Sequence, residues 1–133
     1  MKTNKKIKAL KNKLDKMWSE IVRSKDKCEY CGRTSKTNQL QAHHIFGRVN
    51  KATRWDYDNG VCLCSSHHTR NSGFSAHLPP AEFMEWIRGR RGEGWYNELH
   101  KKSLSIYKVN LGNLETTKEE LEQIILDMET KKT

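Results

Sequence analysis

The residues of this chain that could bind metals or move protons are concentrated in one stretch. Five of the six histidines lie between His43 and His77, and all four cysteines lie between Cys28 and Cys64. Residues 41–68 read QAHHIFGRVNKATRWDYDNGVCLCSSHH. A hydrophobic core does not require such a density of imidazoles and thiols, so we interpret this stretch as the active site.

The first two cysteines have the spacing of a zinc knuckle. Cys28 and Cys31 form a Cys-x-x-Cys pair, and Gly32 follows in the position that lets the backbone turn tightly around the sulfurs. A pair of free buried thiols is the plain alternative. A redox pair is another, but no strand-helix pattern of the thioredoxin kind surrounds the motif.

A second pair of candidate ligands lies about 30 residues further along the chain. Cys64 and His67 have the spacing to complete a tetrahedral site of three thiolates and one imidazole, and such a closed site is structural rather than catalytic. Two choices stay open on the residues alone. Cys62 competes with Cys64 as the third thiolate, and His68 competes with His67 as the imidazole.

The size and composition of the chain set limits on its class. A length of 133 residues suits one domain, and a hydrophobic share of 35% leaves a modest core that a bound metal would help to stabilise. No apolar run approaches the roughly 20 residues of a membrane span. The lysine-rich N-terminus precedes no apolar segment, so we expect no secretory signal and interpret the cysteines as metal ligands rather than disulfides.

The charge is strongly positive and unevenly distributed. The net charge is +9, and residues 1–27 carry ten Lys/Arg against three acids. Residues 114–133 carry six acids against three lysines. A basic surface can serve solubility alone, but together with a cluster of metal-binding residues it favours nucleic acid as the partner.

The hydrophobic pattern indicates the elements that must position these side chains. Apolar residues recur at helical spacing over residues 4–24, which predicts an amphipathic helix with a lysine-rich face. Residues 40–46 and 59–63 are predicted strands joined by a long polar and basic connection. A helix should begin directly after them, with Ser65 or Ser66 as its cap.

The C-terminal third is predicted to be helical. Residues 79–82 have the pattern of a helix start, and a short helix is expected around residues 95–99. The capping-box pattern at residues 117–120 predicts the start of a last helix, which should dock on the core and end near Glu129. The helix that begins at residues 79–82 is expected to be broken by three glycines: Gly89, Gly92 and Gly94.

Several motifs together resemble a known family. AHHIFGR, RWDYDNG, LCSSHH and the later SAH are similar to the HNH endonucleases, especially the small phage-type members, over roughly residues 28–86. The resemblance implies an α+β fold with a ββα-metal core, a structural zinc knuckle and flanking N- and C-terminal helices. The chain would form one domain over residues 1–133: a basic N-terminal helix (1–27), a zinc and HNH core (28–88) and a helical extension (89–133).

The resemblance also implies a role for each motif residue. His43 stands at the position of the first metal ligand and His44 at that of the general base. Asn59 matches the central asparagine, which holds the hairpin and orients the base through backbone contact, and we expect it to fix the tautomer of the base. His68 matches the helix histidine that binds the catalytic cation. The resemblance places His77 as a further ligand or a phosphate contact, and a loop histidine that packs beside Trp86 is the alternative.

The zinc residues of the family are also matched, with one departure. Cys28, Cys31 and Cys64 match zinc cysteines, whereas His67 stands where the family usually has a fourth cysteine. Imidazole is an ordinary zinc ligand, so the departure is chemically mild. It leaves open how His67 and His68 divide the two metal sites between them.

The expected function is metal-dependent hydrolysis of DNA phosphodiester bonds, by nicking or by double-strand cleavage. A neutral histidine would activate the water, and a single Mg²⁺, Mn²⁺ or Ni²⁺ would stabilise the leaving group, beside a structural Zn²⁺. The alternative is a zinc-stapled DNA-binding module without catalysis. That module would not need His43, His44 and His68 together. A thiol redox protein is a weaker third reading, because it leaves the histidines unexplained.

Two arginines of the connection are expected to contact DNA. Arg48 and Arg54 could hold phosphates as bidentate forks, or instead form salt bridges with Asp56 or Asp58. Adjacent strand residues point to opposite faces, so His43 and His44 can serve one site only if the strand bends or the substrate lies between them.

The expected partners and location of the protein follow from its charge, from the absence of a long apolar run and from the same resemblance. DNA is the expected partner, with no membrane association, and other phage DNA-processing or packaging proteins could join it. The expected location is the cytoplasm, which is that of the host if a phage encodes the chain. A monomer or a weak homodimer is expected. The dimer is an alternative because the two terminal helices carry opposite charge and could contact each other.

Overall fold

The computed structural model describes residues 2–36, 39–70, 75–77 and 80–131, with Arg70 described by its backbone alone. Helices flank one small two-stranded sheet, which confirms the predicted α+β class. In chain order they are α1 (Lys2–Arg23), β1 (Leu40–His44), a 3₁₀ turn (Tyr57–Asn59), β2 (Gly60–Cys64), a π-helical turn (Ser66–Arg70), α2 (Pro80–Arg91), α3 (Glu93–Ser103) and α4 (Leu111–Lys131).

The two strands form an antiparallel hairpin that carries the chemistry. Their register pairs Leu40 with Cys64 at one end and His44 with Gly60 at the other. Every residue of β2 is buried, whereas four of the five residues of β1 are half-buried. The sheet therefore keeps β2 in the core and presents one side of β1 at the surface.

The first strand ends earlier than predicted because a side chain takes over its pairing. The amide of Asn59 accepts a hydrogen bond from the backbone N–H of Phe46 at 2.7 Å and donates to the Phe46 carbonyl at 2.9 Å. The ladder therefore stops at His44, and Asn59 belongs to the 3₁₀ turn rather than to β2.

Helix α1 packs on the hairpin through its apolar stripe, as the periodicity predicts. The contact with β2 is close: a Cβ at Gly60 would overlap Val22 Cγ2 and lie 3.0 Å from Trp18 Cζ2. Only glycine fits at this crossing. The buried residues of the stripe are Leu10, Leu14, Met17, Trp18, Ile21 and Val22.

The last helix docks on α1, as predicted, but it begins earlier than predicted. Leu114 and Leu121 are its buried residues. The capping-box prediction was wrong, because α4 begins at Leu111 and Thr117 lies inside it. Asn110 provides the cap instead, since its side chain accepts the Asn113 N–H at 2.8 Å.

One glycine, not three, separates α2 from α3. Gly92 has a φ of 96°, a backbone conformation that favours glycine and interrupts the helix. Gly89 lies inside α2 and Gly94 inside α3, so the predicted breaks there were wrong. A glycine within a helix costs only about 1 kcal/mol, which the surrounding packing offsets. Pro79, the predicted start of α2, lies outside the described residues.

None of the helices in the described ranges is long and apolar enough to cross a bilayer.

Candidate metal sites and active site

The Cys28–Cys31 segment forms the tight turn expected of a knuckle. Gly32 has a φ of 78° and donates its N–H to the Cys28 carbonyl at 2.8 Å, and the Cys28 N–H donates to the Arg33 carbonyl at 2.8 Å. These bonds close the loop around the two sulfurs. The positive φ explains why a glycine follows the second cysteine.

Three thiols and one imidazole meet between the knuckle and the end of β2. The ligand atoms of Cys28, Cys31, Cys64 and His67 all lie within 4.8 Å of one another. Cys31 Sγ is 3.8 Å from Cys64 Sγ, and His67 Nδ1 is 3.3 Å from Cys64 Sγ. Tetrahedral zinc would place two sulfurs about 3.8 Å apart and a sulfur and a nitrogen about 3.6 Å apart. The donor set and its spacing therefore fit zinc.

The knuckle favours a thiolate at Cys28. Burial raises the pKa of its thiol, but hydrogen bonds from the backbone of Cys31, Cys64 and Tyr30 outweigh that effect and bring the pKa below its usual value. Backbone N–H groups stabilise the anion that a metal would require.

Cys62 lies outside this cluster. Burial, and then the negative charge of Glu29, raise the pKa of the Cys62 thiol to about 11, so it is neutral at physiological pH. Its backbone N–H donates to Glu29 Oε2 at 2.7 Å. The competition between Cys62 and Cys64 thus resolves geometrically, because only Cys64 reaches the other three donors.

Glu29, between the two knuckle cysteines, is a buried clamp that the sequence reasoning missed. Its carboxylate lies 3.0 Å from Lys25 Nζ and 3.0 Å from Arg91 Nη2. Burial raises its pKa, but the charge of Arg91 and the Cys62 N–H outweigh burial and hold it below its usual value. Arg91 also donates to the Gly60 carbonyl at 2.8 Å. The knuckle, β2 and α2 are therefore joined at one carboxylate.

A second cluster consists of three imidazoles from three parts of the chain. Its members are His43 on β1, His68 on the π-helical turn and His77 in the segment before α2, with ligand atoms within 4.8 Å of one another. The Nε2 atoms of His68 and His77 are 3.1 Å apart. The backbone holds this segment in place, since His77 N–H donates to the His68 carbonyl at 3.2 Å.

Gln41 orients one of these rings and was not singled out by the sequence reasoning. Its side-chain oxygen lies 2.7 Å from His68 Nδ1. An amide oxygen only accepts hydrogen bonds, so Nδ1 carries the proton and Nε2 keeps its lone pair toward His77. Such an outer partner fixes the tautomer that a metal ligand needs.

His43 is held in its neutral form. Burial, and after it the charges of His68, His77 and His44, lower the pKa of His43 to about 3. Burial also lowers the pKa of His68, with a smaller effect from His77. Rings that stay neutral around neutral pH can act as metal ligands.

His44 points away from this cluster and lies against α1. Its ring stacks on Trp18 with centroids 3.8 Å apart and planes 10° apart. Its Nε2 lies 3.0 Å from the Arg54 carbonyl, which can only accept, so Nε2 carries the proton and Nδ1 keeps a lone pair. Burial lowers the pKa of His44 to about 4, against the opposing effects of the Arg54 carbonyl and Asp15.

The tautomer of His44 is therefore set by Arg54 and not by Asn59. The expectation that Asn59 fixes the tautomer was wrong, whereas the expected backbone contact is present: its side chain bonds to the backbone of Phe46. The Asn59 carbonyl also accepts the Ile45 N–H at 2.9 Å. Asn59 is fully buried and holds the end of β1, so it acts on His44 only through the backbone.

One open cavity resolves the conflict between the two adjacent histidines. It has a volume of about 470 Å³, and both His43 and His44 line it together with His68 and His77. The two rings diverge from the strand but border the same space. A larger cavity of about 610 Å³, between Trp55 and α4, contains none of these histidines.

The two arginines of the connection differ in their surroundings. Arg54 forms a bidentate salt bridge with Asp15, with Nε 3.0 Å from Oδ1 and Nη2 2.7 Å from Oδ2. Its salt-bridge partner is thus Asp15, not Asp56 or Asp58. The Nε and Nη2 donors that would hold a phosphate in bidentate fashion are bound to the Asp15 carboxylate. Arg48 is exposed at the rim of the cavity.

A basic strip lies beside the cavity and consists of Lys11, Arg48 and Lys51. Burial, and then the charges of Arg54, Lys11 and Arg48, lower the pKa of Lys51, which shows that these cations lie close together. Asp15 is the acid among them: burial raises its pKa, but its hydrogen bonds from Arg54 and Trp55 hold it below the usual value. Asp15 was missed because nothing in the periodicity of α1 distinguishes it.

Comparison with known proteins identifies the class. The protein-family model described as HNH endonuclease matches residues 28–73 of this chain. This match confirms the resemblance to the HNH endonucleases over residues 28–73. The matched segment contains both strands, all four cysteines and four of the six histidines, whereas α1 and His77 lie outside it. No curated protein and no solved structure matches the chain.

Proposed function

We propose that the protein is a metal-dependent endonuclease that hydrolyses phosphodiester bonds of DNA. The observation that carries the proposal is the meeting of His43, His68 and His77 at the cavity that His44 also lines. Three imidazoles and a fourth with a defined tautomer are the parts that such hydrolysis needs.

The imidazole cluster would hold the catalytic cation. Two nitrogen ligands at about 2.1 Å from a metal and at right angles lie about 3.0 Å apart, and the Nε2 atoms of His68 and His77 are 3.1 Å apart. Three protein ligands leave coordination positions open. A bound Mg²⁺, Mn²⁺ or Ni²⁺ would neutralise charge on the phosphate and on the departing oxygen.

His44 would act as the general base. Its Nε2–H is engaged by the Arg54 carbonyl, so Nδ1 would take the proton of the attacking water. The Arg54 carbonyl and the charge of Asp15 both favour the protonated ring. A phosphate entering the cavity would add negative charge beside His44 and raise its pKa from about 4 toward the working pH.

The thiolate site would hold a structural zinc through Cys28, Cys31, Cys64 and His67. Four protein ligands would close the coordination shell, so this ion would not take part in the reaction. His67 is followed directly by His68. The zinc would therefore also fix the helical turn that presents a ligand to the catalytic cation.

The basic residues at the cavity would bind the phosphate backbone. Arg48 at its rim, with Lys11 and Lys51 nearby, supports this role, whereas Arg54 would act through its carbonyl and its salt bridge. A zinc-stapled binding module would use the same basic surface. It would have no use for His43, His44 and His68 around one cavity.

The test is incubation of supercoiled plasmid with the zinc-loaded protein and Mg²⁺, Mn²⁺ or Ni²⁺. Nicked circles or linear DNA should form with at least one cation and should not form with EDTA in excess over the added cation. Gel retardation of the same DNA in EDTA measures binding separately. Binding without cleavage under any of the three cations would overturn the enzyme and leave the binding module.

A further inference from the structure

We propose that helix α1 is part of the nuclease site, with Asp15 and Trp18 as positioning residues for His44. The inference rests on the proposed function only in taking His44 as the base. It adds that the base is held in place by a helix outside the segment that matches the HNH family model.

Trp18 fixes the plane of the His44 ring. The two rings are nearly parallel, at 10°, with centroids 3.8 Å apart. The indole cannot rotate freely, because its Nε1–H donates to the Asp56 carbonyl at 2.7 Å and its side chain is 2% exposed. The His44 ring therefore stacks on an indole ring whose orientation is fixed by its hydrogen bond to Asp56.

Asp15 fixes the atom that sets the tautomer. Its carboxylate holds the guanidinium of Arg54 with two hydrogen bonds and accepts a third from Trp55 Nε1 at 2.8 Å. The same Arg54 presents its carbonyl to His44 Nε2 at 3.0 Å. Asp15 thus anchors the side chain of the residue whose main chain orients the base.

The position of α1 makes these contacts part of the site. Asp15, Trp18 and Ser19 line the cavity together with His43 and His44. The helix lies so close to the hairpin that only a glycine fits at position 60. A shift of α1 would move both supports of His44 at once.

The decisive variant is Asp15→Asn, with Glu20→Gln as its control. Asparagine has the shape of aspartate but replaces one acceptor with an NH₂ group that faces the Arg54 donors. Glu20 is an exposed acid on the same helix, so its substitution reproduces the charge change alone. Each protein is assayed on plasmid and on bis(p-nitrophenyl) phosphate, a small diester that needs no DNA-binding surface.

Asp15→Asn should fold with unchanged zinc content and lose about 10- to 100-fold in kcat on both substrates, without a rise in KM for plasmid. Glu20→Gln should keep the wild-type kcat. Asp15→Glu, which restores the charge, should recover part of the loss. Full activity of a folded Asp15→Asn, or a loss confined to KM for plasmid, would overturn the inference.

A spectroscopic measurement decides the point without relying on activity. The ¹⁵N shifts of the His44 ring, assigned by comparison with His44→Ala, should show a protonated Nε2 and a bare Nδ1 in the wild type. Trp18→Leu, which removes the stacked ring, and Asp15→Asn should each populate the other tautomer. Unchanged shifts in the variants that fold would overturn the inference. An inactive wild type with these shifts would refute only the proposed nuclease.

Discussion

Cys31 Sγ lies 3.8 Å from Cys64 Sγ, although 33 positions separate the two residues in the chain. This distance equals the edge of a zinc–thiolate tetrahedron, about 3.8 Å. The purified protein should therefore contain about one tightly bound Zn²⁺ per chain, in addition to any catalytic cation. Elemental analysis after dialysis against a weak chelator measures it.

Substitution of the thiols separates the ligands from their neighbour. Cys64→Ser should lose the zinc and unfold, because metal binding supplies folding free energy in such sites. Cys62→Ser should keep the zinc, since Cys62 lies outside the cluster. Loss of zinc from Cys62→Ser together with retention by Cys64→Ser would refute the assignment.

The second prediction concerns stability against acid. The folded pKa of His44 is about 4, below the roughly 6.5 of an unfolded histidine. The resulting stability is complete above pH 6.5 and is lost as the pH falls toward 4, because only the unfolded chain takes up the proton. Urea unfolding of the zinc-loaded protein between pH 6.5 and 5 measures the slope.

His44→Gln is the matched control for this slope. It removes the titrating ring but leaves the other histidines in place. The wild-type free energy of unfolding should fall more steeply than that of the variant, by at most about 1.4 kcal/mol per pH unit for one proton. Equal slopes would mean that His44 is not protected from protonation in the folded state.

The third prediction concerns the basic strip. Each phosphate contact adds about 0.9 to the slope of log K against log salt for duplex DNA. The triple substitution Lys11→Gln, Arg48→Gln and Lys51→Gln should therefore lower that slope by about 2 to 3. Truncation of residues 1–20 is unsuitable as a test, because Leu10, Leu14 and Trp18 belong to the core.

A second triple variant controls for the loss of charge. Lys101, Lys118 and Lys131 lie on α3 and α4, and none of them lines the histidine cavity. Their substitution by glutamine should leave the slope nearly unchanged. If the two triple variants lower the slope equally, DNA does not bind preferentially at the strip.

The features predictable from the sequence are those whose signal is local. The Cys28-x-x-Cys31 turn with its glycine and the apolar stripe of α1 depend on neighbours within a few residues. The two strands were also predicted from local patterns, and their predicted bounds, 40–46 and 59–63, are close to those of β1 and β2. The grouping of His43 with His68 came from the family motifs, because nothing local brings two residues so distant together.

The missed features depend on tertiary contacts. Asp15 meets Arg54 across 39 positions, and Gln41 meets His68 across 27. Neither partner is marked by a local pattern, so both read as ordinary polar residues. The capping box at Thr117 failed for the opposite reason: its local pattern is real, but Asn110 caps the same helix earlier and Thr117 bonds to the Asn113 carbonyl.

The general-base role of His44 is tested most directly by the initial rate of nicked-circle formation for His44→Ala. His100→Ala is the control, because His100 is exposed and lies outside the cavity. Cation, salt and DNA concentrations are matched, and zinc content, folding and gel retardation are measured on each protein. His68→Ala is run in parallel, since loss of a cation ligand should be partly rescued by excess Mn²⁺.

His44→Ala should lose about 10²- to 10⁴-fold in rate, as is typical for removal of a general base, and excess Mn²⁺ should not restore it. It should keep its zinc, its fold and its affinity for DNA, while His100→Ala should cleave like the wild type. A His44→Ala protein that cleaves as fast as an active wild type would contradict the mechanism.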